Sequence, residues 1–296
     1  MSLSRRSLLA GSAAVVSTSN PLAVFAQTAP KVIDTHAHVF KRGLPLAPGA
    51  RYTADYDATP ADYLKQLDAN GMSHGVLVQI SFLGTDNSYM LDAVKESGRR
   101  LKAIAVVDPT IFYNDMKTLD AAGVVGVRFN LVGRPIPDFT ADPWPEHLKR
   151  VAALGWQVEV HREAKDLPQI VGPLLAAGVT VVVDHFGRPD GALGVSDPGF
   201  QFLLTQGASR RLWVKVSAGY RNGKDGAGEK TALEAYPLLK AALGVDRLLF
   251  GSDWPHTAFE SGANYANQKT FFERMVTSAD ERRMILGDNA TKLFRF

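Results

Sequence analysis

Five of the seven histidines in the chain stand at or just beyond the ends of apolar, β-branched segments. They are His36 and His38 in the first segment, His161 in the fifth, His185 in the sixth and His256 after the eighth. Asp253 ends the eighth segment. Imidazole nitrogens bind divalent metals or transfer protons near neutral pH, and a carboxylate serves either purpose. The pattern therefore predicts one polar site that performs metal or acid–base chemistry.

The spacing of these residues favours a single metal ion. His36 and His38 are separated by one residue, and alternate residues of a strand point to the same side. Their imidazoles can therefore hold one divalent cation, with His161 and Asp253 completing a mixed nitrogen and oxygen ligand set. His185 then remains free to orient or deprotonate a nucleophile. We expect zinc, which lowers the pKa of a bound water to about 7; metal-free catalysis by the same residues is the alternative.

Basic residues accompany the later segments. They are Arg128 and Arg134 at the fourth, Arg188 after the sixth, Lys215 on the seventh and Arg221 after the seventh. Arginine presents a planar fork that matches a carboxylate, so several cations at one mouth predict that the site binds a small anionic substrate.

The elements that must position these residues are eight apolar segments separated by helical stretches. We predict strands at 32–40, 74–81, 101–109, 124–132, 156–163, 179–188, 212–220 and 247–256. Thr59-Pro60 has the pattern of a helix start, and Gly123 and Gly178 that of helix ends. Eight such units predict a single-domain (β/α)8 barrel, in which the strands end at one catalytic rim. A doubly wound open sheet is disfavoured, because no glycine-rich phosphate loop follows the first strand.

Composition excludes several functional classes. The 296 residues are 46% apolar and 21% charged, as in an ordinary globular enzyme. The net charge is only +3 without a basic stripe, so we expect no nucleic-acid partner. The chain has no cysteine, which excludes disulfides, thiolate zinc ligands and thiol nucleophiles. No apolar stretch reaches the roughly 18 residues of a membrane span, so we expect no stable membrane insertion.

Residues 1–30 have the features of an export signal, which leaves residues 31–296 for the barrel. Arg5 and Arg6 precede a serine, two leucines and an alanine-rich stretch, and small residues bracket a cleavage point after Ala26. This order resembles a leader that the twin-arginine export machinery recognises. We therefore expect a periplasmic protein whose mature chain begins near Gln27.

Four motifs resemble the amidohydrolase superfamily. They are Asp-Thr-His-Ala-His at 34–38, Val-Asp-His-Phe-Gly at 183–187, Gly-Ser-Asp-Trp-Pro-His at 251–256 and Ile-Leu-Gly-Asp-Asn-Ala-Thr-Lys-Leu-Phe at 285–294. Together they resemble the branch that contains 2-pyrone-4,6-dicarboxylate lactonase and 4-sulfomuconolactone hydrolase. The His-x-His pair alone is a weak signal, but together with the motifs at 183–187 and 251–256 in this order it is a strong one.

The resemblance implies hydrolysis of a carboxylated lactone, such as a pyrone dicarboxylate, a muconolactone or a sugar-acid lactone. Asp253 would act as general base on water and pass the proton to the leaving oxygen. His36, His38 and His161, or a metal that they hold, would polarise the carbonyl, and His185 would stabilise the oxyanion or assist the base. The further resemblance of three arginines implies that they grip the substrate carboxylates; these are Arg128, Arg134 and Arg221.

Two departures from the lactonase pattern bear on the metal. The pyrone dicarboxylate lactonase works without metal and has tyrosine at the tip of strand five, where this chain has His161, as the metal-dependent members do. Arg128 lies in the region of strand four where binuclear members carry a bridging lysine, so the resemblance implies at most a mononuclear site.

Two other functions fit the same residues less well. One is a metal-dependent, non-oxidative decarboxylase of the same superfamily, which would use the same ligands but release carbon dioxide. The other is a non-catalytic, exported solute-binding barrel, for which a complete set of histidines and Asp253 would be unnecessary.

Overall fold

The computed structural model of the protein describes residues 30–296, so the predicted leader lies outside the described residues except for Pro30. Eight parallel strands form one sheet in the order β1 to β8, and each pairs with its neighbour in sequence. They are β1 Ile33–Ala37, β2 His74–Val78, β3 Leu101–Ala105, β4 Val124–Asn130, β5 Gln157–His161, β6 Thr180–Val183, β7 Leu212–Lys215 and β8 Leu248–Leu249. The prediction of a single-domain (β/α)8 barrel is confirmed.

Helices alternate with the strands. They are α1 Pro60–Ala69, α2 Ser88–Glu96, α3 Tyr113–Ala121, α4 Trp144–Ala153, α5 Leu167–Ala176, α6 Pro198–Thr205, α7 Ala227–Leu243, α8 Tyr265–Met275, α9 Ala279–Arg283 and α10 Asn289–Phe294. The predicted cap at Thr59 is present, because its side chain accepts a hydrogen bond from the backbone N–H of Asp62. Within residues 30–296, no helix combines the length and the hydropathy that crossing a membrane requires.

The strand starts agree with the sequence prediction, whereas the strand ends do not. Each strand begins within one residue of its predicted start but ends two to seven residues early. Two site residues predicted to lie in strands follow the ladder instead: His185 and Asp253 have φ values of 54° and 62°. This left-handed region is sparsely populated for residues other than glycine, and such conformations concentrate at functional sites.

The barrel closes between β1 and the segment that follows β8. Thr35 N–H donates to the Phe250 carbonyl at 3.0 Å, and Asp253 N–H donates to the His36 carbonyl at 2.8 Å. Gly251 permits this approach, since a Cβ there would lie 2.6 Å from the Cβ of His36. The closure therefore brings Asp253 beside the His-x-His strand.

Asp34 reinforces the same closure from within. Its buried carboxylate accepts hydrogen bonds from the N–H and hydroxyl of Ser252, at 2.8 and 2.6 Å, and from the hydroxyl of Tyr63 at 3.0 Å. Burial raises the pKa of Asp34. Hydrogen bonds to an otherwise desolvated carboxylate offset its burial and tie β1, α1 and the segment after β8 together.

The amino end of the barrel is apolar. Buried strand residues, among them Val76, Val125 and Val182, form a cluster with Phe294 of the carboxyl-terminal helix α10. The polar side chains of the site are consequently gathered at the opposite, carboxyl end of the strands, as is usual in this architecture.

Candidate active site

One carboxylate oxygen of Asp253 lies at the centre of three imidazoles. Its Oδ1 is 3.7 Å from Nε2 of His36, 3.9 Å from Nε2 of His38 and 3.9 Å from Nε2 of His185. All four side chains are buried. Two come from β1 and its end, and the others follow β6 and β8. The closed barrel thus gathers residues from across the sequence around one point.

His38 is held in one tautomer. Its Nδ1 lies 2.7 Å from the carbonyl oxygen of Val78, which can only accept, so Nδ1 carries the proton and Nε2 presents a lone pair. Burial lowers the pKa of His38 to about 3, and the ring is therefore neutral. Nε2 and Asp253 Oδ1 are then two buried acceptors that face each other. Such a pair needs a cation or a proton donor between its members.

The second oxygen of Asp253 is fixed by two donors. Oδ2 accepts a hydrogen bond from Nε of Arg221 at 2.6 Å and another from the hydroxyl of Tyr220. Burial, the largest single influence, favours the neutral acid, but Arg221 and the three neighbouring imidazoles together outweigh it and hold the pKa of Asp253 well below its usual range. Asp253 is therefore an ionised carboxylate with one oxygen anchored and the other aimed at the imidazoles.

The cluster fits a divalent metal ion. One ligand atom each of His36, His185 and Asp253 lie within 4.8 Å of one another, and Nε2, Nε2 and Oδ1 of these residues have no hydrogen-bond partner among residues 30–296. Two zinc–nitrogen bonds placed end to end span about 4.2 Å, which is the largest separation that one ion can bridge. The distances from Asp253 Oδ1 to Nε2 of His36 and His185, 3.7 and 3.9 Å, are below this limit, so one ion can contact these atoms.

The outer nitrogens of the rings also have partners that suit metal ligands. Nδ1 of His185 lies 3.0 Å from the hydroxyl of Ser217, and Nδ1 of His36 lies 3.3 Å from a carboxylate oxygen of Asp184. Such outer partners fix the orientation and tautomer of ligating histidines. The ligand atoms are therefore close enough for one ion, and the rings that carry them are oriented by outer partners, as a mononuclear site requires.

His161, which we predicted as a ligand, occupies a different position. Its Nδ1 lies 3.2 Å from Nη2 of Arg128, and its Nε2 lies 3.3 Å from Nη1 of Arg188. Burial, and next the charge of Arg128, lower its pKa well below the usual value. Among the described residues, the groups of converging ligand atoms do not include His161. His185, which we expected not to bind the metal, lies in the cluster at the position that we predicted for His161.

Lys215 lies beneath the site rather than at its mouth, which corrects our expectation of a substrate contact. Its side chain is fully buried, with Nζ 2.6 Å from Glu159 Oε2, 3.0 Å from Nδ1 of His36 and 3.6 Å from Asp184 Oδ1. The reason is its strand position: Lys215 is the last residue of β7, where its side chain points into the barrel. Burial raises the pKa of Glu159 to about 7.

Four guanidinium groups line the pocket above the cluster. They belong to Arg51, Arg128, Arg188 and Arg221, and the cavity has a volume of about 140 Å³. Arg128, Arg188 and Arg221 were predicted substrate contacts, and the structure places them together. Arg134 is exposed, donates to the Gly49 carbonyl at 3.4 Å and is not part of this lining. Guanidinium groups only donate, so their convergence suits an anion.

Several site residues were missed by the sequence analysis. They are Arg51, Tyr52, Asn130 and Thr257 in the pocket lining, Tyr220 beside Asp253, and Glu159 and Asp184 below the cluster. Arg51 and Tyr52 belong to the long segment between β1 and α1, which has no periodic pattern. A signal existed for Glu159 and Asp184, because each is a lone carboxylate in or next to an apolar strand.

The fold and the site together define a class of protein. A (β/α)8 barrel with a His-x-His strand and further histidine and aspartate side chains converging at the carboxyl end of its strands has the architecture of a barrel hydrolase. The chain belongs to the amidohydrolase family, whose family model matches residues 33–296.

Two relatives are hydrolases by name. The chain is 36% identical over 274 residues to 2-pyrone-4,6-dicarboxylate hydrolase of Comamonas testosteroni, covering 88% of this chain and 89% of the relative. It is 28% identical over 269 residues to 4-sulfomuconolactone hydrolase of Hydrogenophaga intermedia, covering 88% of each.

Solved structures agree with this placement. A probable 2-pyrone-4,6-dicarboxylic acid hydrolase from Acinetobacter baumannii, with citric acid bound, is 41% identical with a TM-score of 0.87, covering 90% of this chain and all of that one. A 2,6-dihydroxybenzoate decarboxylase from Rhizobium has a TM-score of 0.65 at 15% identity, over 90% of this chain and 99% of that one, and shares the fold alone.

Removing the buried charge of Lys215 tests its position. We expect Lys215→Met to lower the free energy of unfolding by about 3–5 kcal/mol, because it leaves the buried carboxylates without their cation. Adding Glu159→Gln should restore part of the loss. Denaturant unfolding measures both.

The matched control is Lys230→Met, in an exposed pair with Glu234 at 4.0 Å, which should change stability by less than about 1 kcal/mol. A normally stable Lys215→Met protein that shows only a raised KM would mean that Lys215 contacts substrate after all.

Proposed function

We propose that this protein hydrolyses the ring ester of a small lactone that carries one or more carboxylates. One observation carries the proposal: Asp253 Oδ1, a buried carboxylate oxygen without a hydrogen-bond partner among residues 30–296, lies at the floor of a pocket walled by four guanidinium groups. The floor suits attack by water on a carbonyl, and the wall suits the substrate carboxylates. The activities named for the Comamonas and Hydrogenophaga relatives support the same reaction.

In the proposed reaction Asp253 is the general base. Oδ1 accepts a proton from water as the water oxygen bonds to the ring carbonyl carbon, and Asp253 then returns that proton to the ring oxygen as the ester bond breaks. Arg221 and Tyr220 hold Oδ2, so Oδ1 keeps its direction through both steps. Arg128 and Arg188, themselves spaced by His161, bind the carboxylates.

We further propose that one divalent ion, zinc, is held by His36, His38, His185 and Asp253. When bound, it would polarise the ring carbonyl and lower the pKa of water to about 7. A general base works best when its pKa is near the working pH, so a carboxylate of low pKa is a weak base toward ordinary water. This weakness supports the proposed ion, which would make the water more acidic. Asp253, with its pKa held well below the usual range, suits water whose acidity is already raised.

The two alternatives have less support. Decarboxylation is supported by a likeness that carries the fold alone, and carbon dioxide release on incubation with an aromatic carboxylate would reveal it. A solute-binding barrel would not need a strained, ionised carboxylate at its floor. Proton release without carbon dioxide, on incubation with 2-pyrone-4,6-dicarboxylate, distinguishes ring opening from both.

We also propose export to the periplasm through the twin-arginine machinery, on the strength of Arg5, Arg6 and the stretch that follows them.

Asp253→Asn tests the general base. Asparagine keeps the shape and can still accept from Arg221, but it cannot take the proton, so we expect kcat to fall by about 10²–10⁴ while the protein stays folded. Steady-state kinetics and circular dichroism measure the two effects. Asp120→Asn, at a carboxylate paired with Arg295 and Trp156, is the control and should keep its kcat. Near-normal kcat in the Asp253 variant would remove the proposed base.

Arg128→Ala and Arg134→Ala form a matched pair for substrate charge. Loss of a buried partner of a carboxylate costs about 2–5 kcal/mol, so Arg128→Ala should lower kcat/KM on 2-pyrone-4,6-dicarboxylate by a factor of at least about 30. The exposed Arg134 lies outside the lining, and its variant should change kcat/KM little. If wild type opens a neutral pyrone with the same kcat/KM as the dicarboxylate, the proposed binding of substrate carboxylates in this pocket is refuted.

Metal content tests the ligand set. We expect about one divalent ion per chain by elemental analysis, lost in His185→Ala and retained in His161→Ala. His74→Ala, far from the cluster at the start of β2, is the control. Metal-free protein with full activity would refute the ion but leave the role of Asp253; loss of the ion in His161→Ala would restore the ligand set expected from sequence.

Replacing Arg5 and Arg6 by lysine tests export. We expect the enzyme to remain in the cytoplasmic fraction, because the machinery reads the arginine pair. The same change at the adjacent pair Arg99 and Arg100 is the control and should leave the location unaltered. Equal periplasmic activity in both variants would contradict the proposal.

A further inference from the structure

The proposed reaction assigns no role to His256, although this residue lies beside the general base. Its side chain is buried, and its backbone N–H donates to the backbone carbonyl of Asp253 at 2.7 Å. Its φ of 66° lies in the left-handed region, which a residue other than glycine adopts only when its surroundings determine it. The turn that carries Asp253 therefore also fixes the position of the His256 ring.

The imidazole of His256 reaches the Asp253 carboxylate through one intermediate side chain. Nδ1 of His256 lies 3.1 Å from the hydroxyl oxygen of Tyr220, and the same hydroxyl contacts Oδ2 of Asp253. The ring centres of His256 and Phe259 lie 6.0 and 5.0 Å from that of Tyr220, so the Tyr220 ring is packed against both. The three polar groups thus form one hydrogen-bonded chain from His256 through Tyr220 to Asp253.

The direction of both hydrogen bonds follows from the charge of Asp253. An ionised carboxylate only accepts, so the single hydroxyl proton of Tyr220 points to Oδ2. The hydroxyl oxygen then offers only lone pairs to His256, and Nδ1 of His256 carries the proton that is donated to it. Burial lowers the pKa of His256 to about 4, so the ring is neutral and has no second proton on Nε2.

This chain determines which oxygen of Asp253 exchanges protons. Oδ2 accepts from Tyr220 and Arg221, whereas Oδ1 has no donor among residues 30–296. When Asp253 takes a proton from water, the two donors exclude it from Oδ2, and the proton stays on Oδ1. A Tyr220 hydroxyl that turned toward His256 would remove one of these donors. The N–H of His256 prevents that turn, because it leaves no acceptor there.

We propose that His256 is a positioning residue for the general base: its Nδ1–H holds the Tyr220 hydroxyl on Oδ2 of Asp253 and so keeps Oδ1 as the oxygen that exchanges protons. This inference rests on the proposed lactone hydrolysis and adds a residue to it. His256 does not belong to the lining of the pocket above the cluster, so it acts through Tyr220 rather than on the substrate.

Two substitutions of similar shape separate the N–H of His256 from the bulk of its ring. Asparagine places an N–H where Nδ1 stands, whereas leucine has the same branched outline without a donor. His256→Leu should lower kcat on 2-pyrone-4,6-dicarboxylate about fivefold to tenfold, the effect of one lost hydrogen bond, and leave KM within about twofold. His256→Asn should keep kcat within about twofold of wild type. His74→Leu, at the start of β2, is the control and should alter neither constant.

A double substitution tests whether His256 acts through Tyr220. Tyr220→Phe removes the hydroxyl, so adding His256→Leu should lower kcat no further, because residues of one network are not additive. An equal further fall in the Tyr220→Phe background would overturn the inference. So would unchanged kcat in His256→Leu, or an equal fall in the leucine and asparagine variants, since both results leave His256 with a packing role at most.

Nitrogen NMR of isotope-labelled histidine tests the tautomer in wild-type protein without catalysis, and it decides alone if the leucine variant does not fold. We expect His256 to show a protonated Nδ1 and an unprotonated Nε2, with signals that are lost in His256→Asn. A proton on Nε2 instead would refute the inference. Wild type that shows the expected tautomer but opens no lactone would refute the reaction and keep the hydrogen-bonded chain; turnover with the proton on Nε2 would do the reverse.

Discussion

The ion pair between Lys215 and Glu159 in the barrel interior is the interaction on which the site depends. A buried charge is tolerated only when it is paired, and Lys215 Nζ meets Glu159 at 2.6 Å and Asp184 at 3.6 Å. The same Nζ lies 3.0 Å from Nδ1 of His36, so this network fixes one of the three rings that surround Asp253 Oδ1. It also governs the tautomer of His36. A proton donated from Nδ1 to Asp184 leaves Nε2 with the lone pair that a metal needs, whereas acceptance from Lys215 places the proton on Nε2, toward Asp253.

Above this network the site separates its chemistry into two layers. The floor holds acceptors: the lone pair of His38 and Oδ1 of Asp253, which has no hydrogen-bond partner in the described part of the chain. The walls hold donors, because Arg128 and Arg188 approach His161 from both sides and neutral imidazole can accept from only one of them. A lactone acid complements both layers, since its carbonyl carbon is electrophilic and its carboxylate is an acceptor. In the proposed reaction, catalysis and recognition thus use different faces of one pocket, and a substitution in the wall alters substrate preference without changing the floor.

The loops that carry the site are held by the barrel closure rather than by their own regular structure. Asp253 follows a strand of two residues, has a left-handed backbone and is fixed by its N–H bond to the carbonyl of His36. A conformation of this kind costs of order 1–3 kcal/mol and persists only when its surroundings determine it. The bonds from Ser252 to Asp34 and from Arg221 to Asp253 supply those surroundings. These hydrogen bonds to the closed sheet therefore hold the Asp253 carboxylate in place, although Asp253 itself lies outside the strands.

The eight-unit fold, the start of every strand and the rim positions of the histidines were determined by local sequence, because hydrophobic period, caps and glycine stops act over a few residues. Local sequence also placed Asp253 and three arginines at the pocket. It could not decide which side chains meet. His185 rather than His161 joins the cluster, Lys215 lies under it and Arg134 lies outside the lining. Contacts such as Lys215 to Glu159, or Asp253 to Arg221, join residues that are distant in sequence, and a strand period of two gives the side of the sheet but not the depth in the barrel. Only closure of the eight strands brings those groups within hydrogen-bond distance, and so only the tertiary structure decided which residues make up the site.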